Sequence, residues 1–240
     1  MADRVRLGII YPSGAAEQEY YQFAESHGSL TIYLVVSRTG EGVGHSLPSL
    51  LRTASIDYLL EAARRLVPLR PDAVMWACTS GSFVVGRAGA EAQVRAIHDT
   101  VQAPACSTSL AFVHALRHLG LRRVAVAATY PREASEAFLS FLREFEIEPI
   151  ALRYLGAEDG YAASEIPPQR VKSLVHGADS PDAEAVLIPD TALPSLALIE
   201  PLEKALRKPV LTANQVTIWE GLRLAGAGTA HAAFGRLLAA

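Results

Sequence analysis

The chain repeats itself. Leu7-Gly8-Ile9-Ile10-Tyr11-Pro12 returns 119 residues later as Val126-Ala127-Ala128-Thr129-Tyr130-Pro131, and a Tyr-Pro closes the apolar run both times. Asp72 to Thr79 matches Glu184 to Thr191 at an offset of 112, which pairs Cys78 with Asp190. Pro104 to Ser109 and the following Leu116-Arg117-His118-Leu119-Gly120 match Pro209 to Asn214 and Leu222-Arg223-Leu224-Ala225-Gly226 at offsets of 105 and 106. One such match arises readily by chance between strand-then-helix segments. Three in the same order at nearly constant spacing mark two homologous halves.

The repeated unit is α/β. Short Val, Ile and Ala runs alternate with stretches of helical period, as expected of parallel strands buried on both faces and joined by crossover helices. Strands are expected at Val5–Tyr11, Leu30–Val36, Ala73–Ala77, Ala103–Cys106, Arg123–Thr129, Ile150–Tyr154, Ala185–Ile188 and Val210–Thr212. Helices are expected near Ser55–Leu66, Gly89–Thr100, Ser109–Leu119, Ala134–Glu144, Pro168–Val175, Leu196–Leu206 and Gln215–Leu224. The fold class is therefore α/β with two pseudosymmetric Rossmann-like halves, each a mainly parallel sheet flanked by helices. Residues 1–106 are expected to form the N-terminal half, joined by the C-terminal helix 215–240, and residues 107–214 the other. Open α/β sheets bind ligands at the carboxyl ends of their strands, so the active site is expected in the cleft between the halves.

Composition narrows the function. Half of the residues are apolar, enough for a large core. With 22 basic against 25 acidic residues the net charge is −3, so no basic surface for nucleic acid or anionic membrane is expected. No apolar run approaches the roughly 18 to 20 residues that span a bilayer, and the first residues, with Asp3, Arg4 and Arg6, lack the pattern of a secretory signal, so a cytoplasmic protein is expected. The two cysteines, Cys78 and Cys106, supply neither a disulfide framework nor a zinc set.

Cys78 stands where a buried strand stops, before Thr79-Ser80-Gly81-Ser82. A turn of small polar residues there exposes backbone N–H groups that attract anions and favour thiolate. A buried free cysteine is commonly an inert small hydrophobe, and Cys106 is read that way. The position of Cys78, beyond the strand and beside three hydroxyls, favours chemistry. Its counterpart Asp190 would emerge from a strand at a helix entrance, where capping alone would explain it; the pairing with Cys78 adds an acid/base reading. The remaining strand ends carry hydroxyls and amides rather than arginines: Ser13, Thr79, Ser80, Tyr130, Thr191 and Asn214 are the candidate substrate-binding residues. Such donors in a dry cleft would hold a carboxylate and the enediolate that forms from it, although Ser and Thr after strands are also ordinary turn residues. His114 and His118, four apart on one helix, lack a third ligand spaced with them, and no metal is expected. No dinucleotide, P-loop or serine-hydrolase signature occurs, so no cofactor is expected. His45 lies in the glycine-rich stretch Gly40 to Ser46, which reads as a plain loop or a lid over the cleft.

The ordered segments Pro12-Ser13, Ala77-Cys78-Thr79-Ser80-Gly81-Ser82-Phe83, Val124 through Tyr130, Leu187-Ile188-Pro189-Asp190-Thr191 and Pro209-Val210-Leu211-Thr212-Ala213-Asn214-Gln215 with Trp219 resemble the motifs of one branch of the aspartate/glutamate racemase superfamily, that of maleate cis-trans isomerases and arylmalonate decarboxylases. The resemblance spans nearly the whole chain. It implies a cofactor-free site between pseudosymmetric halves and a cysteine at the end of each half's equivalent strand. Cys78 matches the first, and Asp190 stands at the second. Pro12-Ser13-Gly14-Ala15 departs from the isomerases' Pro-Ser-Ser-Asn-Thr, losing an amide. Decarboxylases of this branch carry glycine where Cys78 stands and keep the second cysteine. The resemblance implies that Thr79, Ser80 and Tyr130 hold a carboxylate, that Asn214 contacts the other end of the substrate, and that Cys78 is the reactive thiol.

The expected function is a cofactor-independent isomerase of a small (di)carboxylic acid, with Cys78 as nucleophile or proton-transfer thiol and Asp190 opposite. The competing readings are a decarboxylase of a malonate-type acid, a racemase of the same superfamily, and a carboxylate-binding protein without chemistry. A small carboxylic acid is the expected partner. A homo-oligomer is common for such enzymes, and no sequence feature sets the number of subunits.

Overall fold

The computed structural model describes residues 4–12, 15–40, 42 and 44–239. Ser13, one of the expected substrate-binding residues, lies outside them. In chain order the elements begin with β1 (Val5–Tyr11), α1 (Gln18–His27), β2 (Leu30–Val36), α2 (Leu47–Thr53), α3 (Ile56–Leu66), β3 (Ala73–Trp76), α4 (Thr79–Phe83), α5 (Gly86–Val101), β4 (Ala105–Ser107) and α6 (Thr108–His118). They continue with β5 (Arg123–Ala128), α7 (Arg132–Arg143), β6 (Glu148–Tyr154), α8 (Gly160–Ser164), α9 (Pro168–Ala178), β7 (Ala185–Ile188), α10 (Ile199–Leu206), β8 (Val210–Thr212), α11 (Ala213–Leu224) and α12 (Arg236–Ala239).

The strands form two four-stranded sheets of the same order, β2-β1-β3-β4 and β6-β5-β7-β8, and every pairing is parallel. The duplication read from the sequence is thus a duplication of sheet topology. The inner strands β3 and β7 are buried at all four positions, as strands covered by helices on both faces must be. In register, β1 ends at Tyr11 beside Val36, and β3 ends at Trp76 beside Ser107. The equivalent β7 ends at Ile188 beside Thr212. The residues that follow these ends emerge at the same edge of each sheet.

One apolar core serves both halves. Phe83, Phe112, Phe138 and Tyr130 form a chain of tilted and edge-to-face ring contacts linking α4, α6, α7 and the end of β5. Helix α11 crosses back to the first sheet. The site of a Cβ on Gly221 lies 2.7 Å from both δ carbons of Leu7 on β1 and 3.2 Å from Met75 Cγ on β3, so only glycine lets the helix come this close. At its start, Thr217 and Thr108 of α6 share a hydroxyl hydrogen bond of 2.7 Å.

Some elements differ from expectation. The fourth strand is shifted to Ala105–Ser107, and the segment at Leu196 begins as a short 3-10 turn, Leu196–Leu198, before α10. Helices α1, α2, α4 and α8 have no counterpart among the expected ones, and residues 215–240 are not one helix: α11 ends at Leu224, and a 3-10 turn and the four-residue α12 follow separately. Among the described residues no helix is long and apolar enough to cross a membrane.

Two glycine-to-alanine changes test the packing with opposite signs. Gly221→Ala is expected to destabilise by about 1–3 kcal/mol, because overpacking against fully buried Leu7 outweighs the gain in helix propensity. Gly177→Ala in α9, where a Cβ meets nothing within 4 Å, is expected to stabilise by about 0.5–1 kcal/mol. Denaturant midpoints of the two variants check both signs.

Candidate active site

A pocket of about 400 Å³, mouth included, opens between the halves. The first half contributes Tyr11, Pro12, His45, Leu50, Thr53, Cys78 and Ser80 to its wall, and the second Gly160, Asp190, Thr191 and Ala192. The repeat-derived pair, Cys78 and Asp190, therefore faces one space from opposite sheets.

Cys78 is the residue before α4, and that five-residue helix exists because of the contacts around it. The Gly81 N–H donates to Cys78 Sγ at 3.2 Å, and the Ser82 hydroxyl donates to the carbonyls of Cys78 and Thr79 at 2.9 and 3.0 Å. A Cβ on Gly81 would sit 2.9 Å from the Trp76 ring and 3.1 Å from the sulfur, so the turn requires glycine. The Ser80 hydroxyl lies 3.7 Å from the sulfur. Burial pushes the Cys78 thiol up to about 11; the Gly81 N–H and Ser80 hydroxyl oppose this, and the charge of Asp190 adds to it. The expected shift toward thiolate is corrected: in this fold desolvation outweighs the backbone donors.

Asp190 is 3 % exposed. One carboxyl oxygen accepts the Thr129 hydroxyl, and the other accepts the Ala192 N–H at 2.9 Å. No helix starts there: a turn follows, and the next helical residues begin at Leu196. Asp190 thus closes a turn and lines the pocket, and the helix-entrance placement is corrected. Tyr130 lies behind the wall, its hydroxyl donating to the Pro189 carbonyl. Burial raises its hydroxyl pKa, and the charges of Asp190 and Cys78 raise it further, while the hydroxyls of Thr79 and Ser80 oppose the shift. The Thr79 hydroxyl is fully buried without a hydrogen-bond partner among the described residues. Tyr11, the counterpart of Tyr130, donates to the Thr191 carbonyl at 3.0 Å and accepts the Ala16 N–H at 3.1 Å.

Asn214 does not line the pocket. Its amide donates to Glu19 at 2.7 Å and to the Thr191 carbonyl at 3.2 Å, while its oxygen accepts the Tyr20 hydroxyl at 2.8 Å. Glu19 in turn accepts the N–H groups of Ser195 and Leu196, both at 2.7 Å. This buried lattice ties α1 to the strand-end loop carrying Asp190 and Thr191, so Asn214 acts on the wall of the site from behind. Burial raises the pKa of Glu19 against these donors.

Tyr11, Leu50, Thr53 and His45 line the pocket without having been predicted as site residues, and of these His45 is the basic one. Gly44 forms an antiparallel bridge with Asp159, the His45 N–H donates to the Glu158 carbonyl at 2.7 Å, and Nδ1 pairs with the Ala157 carbonyl at 3.0 Å. The glycine-rich stretch is thereby joined to the second half. Among the described residues one potential metal-ligand group occurs, Cys106, His114 and Glu220, with donor atoms within 4.8 Å of one another. Arg223 holds both oxygens of Glu220 at 2.7 and 2.8 Å, and His114 Nδ1 lies 2.7 Å from one of them, so the carboxylate is already balanced by side chains. None of the trio lines the cleft pocket.

Two like parallel sheets that present a thiol, a carboxyl group and buried hydroxyls to one cleft define an α/β enzyme with its active site between its halves. A family model described as arylmalonate decarboxylase matches residues 45–238. The chain is 31 % identical over 202 residues to the arylmalonate decarboxylase of Bordetella bronchiseptica, covering 83 % of this chain and 84 % of that one. It belongs to the arylmalonate decarboxylase family. Among solved structures it is similar to a mutant arylmalonate decarboxylase in the liganded form, in which a glycine is replaced by cysteine and a cysteine by serine (TM-score 0.86, 26 % identity, 97 % of this chain and 98 % of that one). It is also similar to a cysteine-to-serine mutant of the Nocardia farcinica maleate cis-trans isomerase with a covalently bound succinylcysteine intermediate (TM-score 0.87, 25 % identity, 98 % of each chain).

The thiol's environment is testable in the free protein. Alkylation of Cys78 by iodoacetamide, which requires thiolate, is expected to rise with pH to a midpoint near 11, and Asp190→Asn, by removing a charge that raises the thiol, is expected to move the midpoint down. Because the folded thiol titrates above its ordinary value of 9.0, its contribution to stability is complete below 9.0 and is lost as pH climbs through about 11. Peptide mapping of the alkylated protein against pH gives the midpoint; one below 9.0 in the native chain would contradict the burial argument.

Proposed function

We propose that this chain is a cofactor-independent isomerase of a small dicarboxylic acid of the maleate type, with Cys78 as nucleophile and Asp190 as the base that takes its proton. The observation that carries this reading is the meeting of a buried thiol and a buried carboxyl group on one pocket, each from the strand end of a different half. A thiol titrating near 11 is scarcely ionised at neutral pH, so addition to carbon needs a base in the pocket, and Asp190 is the carboxyl group lining it.

Cys78 Sγ bonds to one alkene carbon as its proton passes to Asp190, and the π electrons move onto the other carbon and its carboxylate as an enediolate. The carbon–carbon bond is now single and rotates. The electrons return, sulfur leaves, the trans alkene forms, and the proton goes back to sulfur. Hydroxyl donors stabilise the enediolate: Ser80 stands in the pocket wall, and the buried Thr79 hydroxyl, which has no hydrogen-bond partner among the described residues, lies behind it with Tyr130. The succinylcysteine intermediate in the similar isomerase supports sulfur addition. Asn214 positions the Thr191 loop and does not touch substrate. The division into residues 1–106 with 215–240 and residues 107–214 goes with this reading, supported by the close approach of α11 to β1 and β3.

A second reading is favoured by the raised thiol and by the 31 % identical relative: decarboxylation of a malonate-type acid. There the bond from the central carbon to one carboxyl carbon breaks, carbon dioxide leaves, the electrons form the enediolate, and Cys78 gives its proton to carbon and takes another from solvent water.

Proton NMR in heavy water with maleate and with a disubstituted malonate separates the two. Native protein is expected to convert maleate to its trans isomer, Cys78→Ala to show none above background, and Asp190→Asn to lose about 10²- to 10⁴-fold in kcat. Carbon dioxide release from the malonate without maleate turnover would move the assignment to the second reading. Turnover unchanged in Cys78→Ala would contradict both.

A further inference from the structure

A dicarboxylate brings two negative charges into a pocket that already holds Asp190, and among the described residues lining that pocket there is no lysine or arginine. Under the proposed function one carboxylate is held by the hydroxyl cluster of Thr79, Ser80 and Tyr130, of which Ser80 lines the pocket and the other two lie behind it. A second buried carboxylate needs its own donor, and a cationic one is worth most. His45 is the basic side chain in the wall.

Its ring is fixed on two sides. A carbonyl oxygen has no proton to give, so the 3.0 Å contact with Ala157 O assigns a proton to Nδ1. The ring stands edge-on to Tyr130, with centroids 4.7 Å apart and planes at 82°, which sets it beside the hydroxyl cluster. The residue is 5 % exposed, and Nε2 makes no hydrogen bond to a described residue. As imidazolium, the side chain keeps its bond to Ala157 and has one donor left, Nε2–H.

We propose that His45 binds the substrate's second carboxylate through Nε2–H and so makes the site select dicarboxylates over monocarboxylates. This rests on the reading of the cleft as a carboxylic-acid site, and it adds the element that distinguishes two carboxylates from one. Because His45 also joins the loop of residues 44–47 to residues 157–159, a purely structural role is the competing explanation. That role would weaken all acids alike.

Binding of unreactive acids separates the two. Calorimetric titration of native protein with succinate and with butyrate is expected to show tighter binding of the diacid. His45→Gln, which keeps an amide donor but no charge, is expected to lose at least about 10-fold in succinate affinity with butyrate changed less than about 2-fold, and His45→Leu to lose at least as much. In native protein labelled with ¹⁵N-histidine, the His45 Nε2 resonance is expected to shift on adding succinate, as a new hydrogen bond at that atom requires, and to stay put with butyrate, a readout that survives if a variant folds poorly. Equal losses for both acids, an unmoved resonance, or no binding of succinate would overturn the proposal. If succinate binding depends on His45 but maleate is not turned over, the isomerase reading fails and this one stands. If maleate is turned over and His45→Gln keeps its KM, this one fails and the isomerase reading stands.

Discussion

Removing one thiol from water conditions the rest of the site. Parallel strands buried on both faces deliver Cys78 to a dry edge, and desolvation there lifts its pKa to about 11 although Gly81 N–H points at the sulfur. A thiol in that state keeps its proton at neutral pH and is a poor nucleophile until a base takes it. The duplicated sheet places a carboxyl group at the matching strand end, one oxygen held by the Thr129 hydroxyl and the other by the Ala192 N–H, and the proposed reading makes it that base. Two unlike ionisable groups at equivalent positions need not exchange roles, as two thiols in matched surroundings can, which gives the cleft a direction.

Precision in this cleft comes from buried polar contacts behind its wall. Glu19 accepts two backbone N–H groups and the Asn214 amide, Asn214 accepts the Tyr20 hydroxyl, and both Asn214 and Tyr11 reach the Thr191 carbonyl. These contacts fix the loop after β7 to α1 and β1 across the two halves. Glycine acts in the opposite way, by leaving room. Gly81 lets the turn of α4 close over the sulfur, and Gly221 lets α11 lie on the first sheet.

The buried strands were the most legible part of the sequence. β7 and β8 have the bounds expected, because burial at every position writes an uninterrupted apolar run, and β1 and β2 also match although β2, at the sheet edge, is buried only at Leu30 and Val35. The pairing of Cys78 with Asp190 was legible because duplication preserves order. Helix α1 was not, since its buried face is only Glu19, Tyr20 and Phe23 among polar residues. Helix α4 has no helical period at all, and its Thr-Ser-Gly-Ser is drawn into a turn by hydrogen bonds to Cys78 and Thr79. Asn214 was misplaced for a related reason: an amide after a strand looks the same whether it faces a ligand or a buried glutamate. The closing of His45 over the cleft depends on residues 157–159, more than a hundred positions away, and no local pattern announces that contact.

The central claim is that Cys78 sulfur is the atom that reacts. Peptide mapping of native protein quenched during incubation with maleate tests it most directly. The account predicts a succinyl group on the peptide carrying Cys78 and none on the peptide carrying Cys106. Turnover of maleate with Cys78 unmodified at every quench time would contradict it.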